Sequence, residues 1–165
     1  MYRLINLGLI LTAALLCWTA PVRADHDVPY RDSVEGIGSV DLSHYPFVTV
    51  HITGTGHGLH LGPFQIDGEH ILNFTDGTVA GSGTLTTVSG STIDVTYSGT
   101  FTQDSAGNRL LDVVIVSGPG TGRLAGVTGS ATTTVVVTPS GTPYQTIFTY
   151  AAQGTLTFPD NRPQP

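Results

Sequence analysis

Residues 92–102 alternate without a break. Ile93, Val95, Tyr97, Gly99 and Phe101 fall on one face, and Asp94, Thr96, Ser98, Thr100 and Thr102 on the other. Side chains of a β-strand point to opposite faces with a period of two, so this segment reads as a strand with one buried and one wet face. The pattern recurs. Val48, Val50 and Ile52 alternate with Thr49 and His51, and Tyr144, Thr146, Phe148, Tyr150, Ala152, Leu156 and Phe158 line one face of a longer run. No stretch carries a 3.6-residue apolar period of helical length. Residues 110–117 are apolar at nearly every position and predict a strand covered on both sides.

Turn chemistry divides these segments. Asp67-Gly68, Asp76-Gly77, Ser89-Gly90, Ala106-Gly107-Asn108 and Ser140-Gly141 are each typical of tight corners. About eight strand-length segments result. Gly81 and Gly83 share the face of Val79 and Leu85, and in-strand glycines mark the sharp coiling of a barrel. The expected fold is all-β: a small, closed, antiparallel barrel of about eight strands, with a β-sandwich as the alternative.

The chain has 165 residues, a length suited to one domain. Its first 24 residues read as a secretory signal peptide. Arg3 supplies the charge, residues 7–18 the apolar core, and Val22-Arg23-Ala24 the cleavage site after Ala24. Residues 25–33 are polar, contain Pro29, and read as a flexible N-terminal arm. Residues 34–158 form the barrel domain, and residues 159–165 a disordered tail. The protein is expected to be secreted or periplasmic. Cleavage would remove Met1, Cys17 and Trp18, and the chain has no lysine at all. No disulfide framework is then available. Arg31, Arg109, Arg123 and Arg162 would face twelve carboxylates. Such an acidic chain lacks the basic patches that nucleic acid and anionic membranes require.

Residues with chemical potential are few. Gly118, Gly120, Gly122, Gly126 and Gly129 punctuate the segment GPGTGRLAGVTG. It contains a G-x-G-x-x-A match, but a strand follows at residue 131 where a dinucleotide fold needs a long helix. The glycines therefore read as a compact structural loop, pinned by Arg123 or, less simply, offering Arg123 to a ligand. His26, His44, His51, His57, His60 and His70 show no metal-ligand spacing, so no metal and no cofactor is expected. With a hairpin turn at Asp67-Gly68, His60 would pair with Thr75 and share a face with Asn73. That would make His60 and Asn73 a polar pair if their face is inward. Tyr97 and Tyr150 point inward by alternation, with hydroxyls that need partners. Asp112 is the one carboxylate in an apolar strand, and no G-x-S-x-G elbow occurs.

The strand, glycine-rich loop and Thr/Val-rich strand around residues 118–135 resemble the G-G-T-G-R/I-F-x-G-A-x-G region of allene oxide cyclase and dirigent-like, calycin-type β-barrels. Gly54-Thr55-Gly56 leading to Leu59-His60-Leu61-Gly62 resembles the G-T-G and T-H-L-G segments of secreted bacterial proteins associated with that superfamily, with Pro63 where those often carry arginine. The resemblance spans roughly residues 47–158. It implies a barrel, a homotrimer, and a cofactor-free cyclase or isomerase in which His60, Asn73, Tyr97 and Tyr150 would touch substrate. It places no catalytic residue on this chain. Three functions are thus expected, in this order: binding of a small apolar molecule or an accessory role, an extracellular structural or adhesive module, and a cyclase.

Overall fold

A computed structural model describes residues 25–159. The proposed signal peptide and all but the first residue of the proposed tail lie outside the described residues. Eight strands follow in order: β1 (His26–Asp41), β2 (Phe47–Gly58), β3 (Gly62–Asn73), β4 (Thr78–Thr87), β5 (Thr92–Gln103), β6 (Arg109–Gly120), β7 (Thr128–Pro139) and β8 (Gln145–Phe158). Each pairs antiparallel with the next, and β8 returns to β1, so the sheet closes into an up-and-down barrel. Among the described residues the one helical piece is a short 3₁₀ turn, Gly122–Leu124. Closure gives every strand of this Thr- and Val-rich sheet a neighbour on both sides over most of its length.

The alternation read from the sequence locates the core. Val48, Val50 and Ile52 on β2, Ile93 and Val95 on β5, and Phe148, Ala152 and Leu156 on β8 are all buried in the shared interior. Closure at this diameter depends on glycine. Gly36 pairs with Phe148, Gly56 with Phe64 and Gly81 with Tyr97. A Cβ at Gly36 or Gly56 would stand 2.6 Å from the Cζ of the facing phenylalanine, and one at Gly81 would stand 2.7 Å from Tyr97 Cζ. Each ring lies across the space that a neighbouring side chain would fill, so large and absent side chains interleave in layers.

Three expectations are corrected. Residues 25–33 are not an arm. From His26 onward they are the first half of β1, pairing with β8 from His26↔Phe158 and with β2 from Asp32↔Gly58. The stretch looks polar because its buried positions are Tyr30 and Asp32 rather than aliphatic residues. Pro29 is tolerated because β1 is paired there only on its β8 side. Asp67-Gly68 is not a turn but the middle of β3, where Gly68 lets β4 approach; a Cβ there would stand 2.5 Å from Ser82 O. The β2–β3 turn falls instead at residues 59–61, with His60 at φ 71°. β6 is covered on one face only: Leu111 and Val113 are buried, while Val114 and Val116 are exposed. Gly77, Gly90, Gly107 and Gly141 do occupy corners, each with positive φ.

Ring-over-glycine packing makes a testable claim. Gly56→Ala is expected to destabilise the barrel by about 1–3 kcal/mol, the range for overpacking, although alanine outranks glycine in a strand. The three atoms nearest the added methyl are all side-chain atoms, Phe64 Cζ and Val34 Cγ2 at 2.6 and 2.7 Å foremost. Phe64→Leu in the Gly56→Ala background should recover part of the loss in urea unfolding. Absence of recovery would disprove the pairing.

Candidate functional site

The turns at the two ends of the barrel differ. At one end the glycine-rich segment folds inward as a plug: Leu124 and Val127 are buried, the latter completely. Gly118 and Gly120 finish β6, Gly122 and Gly126 turn the chain at φ 56° and 75°, and Gly129 lies in β7. The Arg123 backbone N–H donates to Ser91 Oγ at 3.0 Å, and its guanidinium Nη2 to Ser89 Oγ at 3.3 Å. Thr121 and Thr92 hydroxyls share a 2.7 Å hydrogen bond. Arg123 thus ties the plug to the β4–β5 turn at the barrel's outer end.

Between this plug and the opposite end lies a lumenal cavity of about 80 Å³, running from Leu61 and Leu156 to Val40, Arg109 and Val137. Its wall is mostly aliphatic, crossed by one run of polar groups from three sides. On β1 the Tyr30 hydroxyl donates to Asp32 Oδ2 at 2.7 Å, and the Ala152 N–H of β8 donates to Asp32 Oδ1 at 3.0 Å. Across the lumen His70 Nδ1 of β3 and the Tyr97 hydroxyl of β5 share a hydrogen bond at 3.0 Å, their rings edge-on. Tyr150 of β8 stands between, stacked on Phe148 with centroids 6.4 Å apart. Its hydroxyl is close enough to Asp32 and Tyr97 for both to raise its pKa.

Burial governs the electrostatics of this run. It holds the phenols of Tyr30, Tyr97 and Tyr150 above their ordinary value, so all three remain protonated donors. Burial also raises the Asp32 carboxyl, against the two hydrogen bonds that favour its ionised form. The same cause takes His70 down to about 4, which keeps the imidazole neutral near pH 7. At the far end, the Arg109 guanidinium rests 5.3 Å from the centre of the Phe74 ring.

Of the sequence-derived candidates, the lumen brings together Tyr97 and Tyr150 only. His60 and Asn73 do not pair, because β3 begins after the one and ends on the other, which separates them by the barrel's height. His60 is exposed in the β2–β3 turn, its ring edge-on to Phe158 at 6.3 Å. Asn73 Oδ1 accepts the Thr75 N–H at 2.9 Å and shapes the β3–β4 turn. Asp112 faces outward and accepts a 2.5 Å bond from Thr134 Oγ1. Sequence reasoning missed Tyr30, Asp32 and His70. Extending the alternation of β1 backward through Val34 would have placed Tyr30 and Asp32 inward.

The wall beside Asp32 is also the least regular part of the sheet. β7–β8 pairing stops at Thr132↔Gln153 and resumes at Val136↔Thr149. In the gap the Thr133 hydroxyl donates to Ala151 O at 2.9 Å, a side chain standing in for the ladder. Among the described residues no group of three or more His, Cys, Asp or Glu could hold a metal ion. This chain matches no protein-family model, no curated protein and no solved structure.

Acid sensitivity follows from His70. Its ordinary value is 6.5 and its folded value about 4, so between those pH values the unfolded chain takes up a proton that the folded chain refuses. Stability should therefore fall as pH drops across that window, by up to about 3 kcal/mol from this group, and no further below it. Asp32 works with the opposite sign: its folded pKa is raised, so its share of stability is lost as pH rises from 3.8 through the folded value. His70→Gln should flatten the slope of unfolding free energy between pH 6.5 and 4. An unchanged slope would refute the assignment.

Proposed function

We propose that the barrel is a secreted binding protein whose lumen takes a small, largely apolar molecule. The supporting observation is the cavity itself: aliphatic walls crossed by one convergent set of hydrogen-bonding groups, Asp32, His70, Tyr97 and Tyr150. Such a makeup is typical of small-ligand sites, where apolar surface supplies affinity and a few polar groups fix orientation. The cavity's size limits the occupant. Sites for drug-sized ligands run to about 300–1,000 Å³. At about 80 Å³, this lumen falls well below that range and takes only a molecule of a few non-hydrogen atoms. Kinship with allene oxide cyclase and dirigent-like barrels belongs to the same proposal. It rests on the glycine-rich segment and is compatible with the closed eight-stranded barrel.

The narrowness of the lumen also favours a second reading, an extracellular structural or adhesive module with a nearly filled core and a threonine-covered outside. Ligand titration separates the two. Xenon and 1-propanol, added to the purified protein, are expected to shift the methyl resonances of Val95, Leu111 and Val113, which line the cavity. Ala131→Leu places extra volume into the same wall and should weaken both effects at least tenfold. Lumenal methyls that respond to neither probe would leave the structural module as the surviving function.

A further inference from the structure

We infer that the lumen selects a small primary amine, bound as an alkylammonium ion on the Asp32 carboxylate. This inference rests on the lumenal-binding reading and names the chemical class of its ligand. Asp32 is the one carboxylate that lines the cavity. Among the described residues, the one ion pair within 4.0 Å is His51 with Glu69, both on the outer wall, so Asp32 has no ion-pair partner there. Arg31, its sequence neighbour, is exposed on the other face of β1. Arg109, the cation that lines the cavity, lies at the far end and packs on Phe74.

A buried carboxylate is stable only when it is hydrogen-bonded and countercharged. Asp32 has the first, and without the second its burial favours the protonated form, a cost that a bound cation would remove. Each oxygen accepts one hydrogen bond, from Tyr30 on Oδ2 and Ala152 on Oδ1. An ionised carboxylate offers about four acceptor sites, so one on each oxygen remains. An ammonium group carries three N–H donors and the missing charge. The Tyr150 hydroxyl, near enough to sense the charge on Asp32, is an acceptor within the same run. The rings of Tyr30 and Tyr150 add negatively polarised faces suited to a cation. The alkyl remainder would lie against Val113 and Ala131.

Other ligands fit less well. A carboxylate ligand would place like charge beside Asp32, and an alkylguanidinium is bulkier than an alkylammonium of the same tail in a lumen of about 80 Å³. A bare calcium ion wants six to eight oxygen ligands, several of them carboxylates, where this lumen supplies one carboxylate beside phenol and Ser/Thr hydroxyls. The chain's surplus of acids, twelve against six basic residues, also draws cations toward it.

The test compares isosteres. 1-Propylamine and 1-propanol are titrated into the wild-type chain at pH 7.5, followed by lumenal methyl shifts. The amine is expected to bind at least tenfold more tightly. Asp32→Asn should reduce the amine to the level of the alcohol and leave the alcohol unchanged. Equal binding of the two, or an amine preference that survives Asp32→Asn, overturns the inference while lumenal binding stands. Failure of both probes overturns the two readings together. Should Asp32→Asn not fold, the wild type still decides: nuclear Overhauser contacts from the amine's α-methylene to the Tyr30 ring support the site, and contacts confined to outer-wall residues such as Glu35 and Glu69 reject it.

Discussion

Closure of this barrel depends on rings lying over glycines. An eight-stranded barrel has an interior just wide enough to be filled by side chains, so every layer has to mix large and small residues. Here the mixing extends to glycine: Phe148 over Gly36, Phe64 over Gly56 and Tyr97 over Gly81. Two of these glycines also let strands coil sharply, because a Cβ would run into a carbonyl of the adjacent strand, at Gly81 into Glu69 O at 2.6 Å and at Gly36 into Thr53 O. The lumen is what this packing leaves over. Tyr97 reaches the polar run because Gly81 has no side chain in its way, and His70, paired with that glycine, meets it there.

Polar groups inside such a core are costly unless satisfied. The run obeys this rule almost throughout. His70 is neutral and bonded to Tyr97, Thr133 is bonded to the Ala151 carbonyl, and Tyr30 to Asp32. No buried side-chain nitrogen or oxygen among the described residues lacks a partner. Asp32 differs in kind: both its oxygens are hydrogen-bonded, yet it has no ion-pair partner among the described residues, and burial raises its pKa. Its Ala152 contact and the interrupted β7–β8 ladder next to it are two sides of one arrangement: around residues 150–152 the wall uses side chains where the rest of the sheet uses backbone.

The barrel was legible from the sequence because period-two alternation holds wherever the buried residues are aliphatic, as on β2, β5 and β8. Two kinds of residue hid the rest. Asp67-Gly68 has turn chemistry, yet Gly68 serves close strand approach against Gly83, and a dipeptide cannot distinguish these uses. That misreading displaced the β2–β3 turn and with it the supposed pairing of His60 with Asn73. Val114 and Val116 made β6 look covered on both faces, because a lone sequence does not tell an exposed valine from a buried one.

The opposite error concealed β1. Hydrophobic patterning finds buried positions by their apolarity, so a strand that buries Tyr30 and Asp32 resembles a solvated arm. The failure is informative. Leucine at position 32 alone would strand the Tyr30 hydroxyl and the Ala152 N–H, whereas an apolar residue in place of both Tyr30 and Asp32 would leave one backbone donor to satisfy and give a simpler core. Local rules are broken mainly where function compensates for the loss. The most poorly legible strand therefore carries the group with the strongest claim to a ligand.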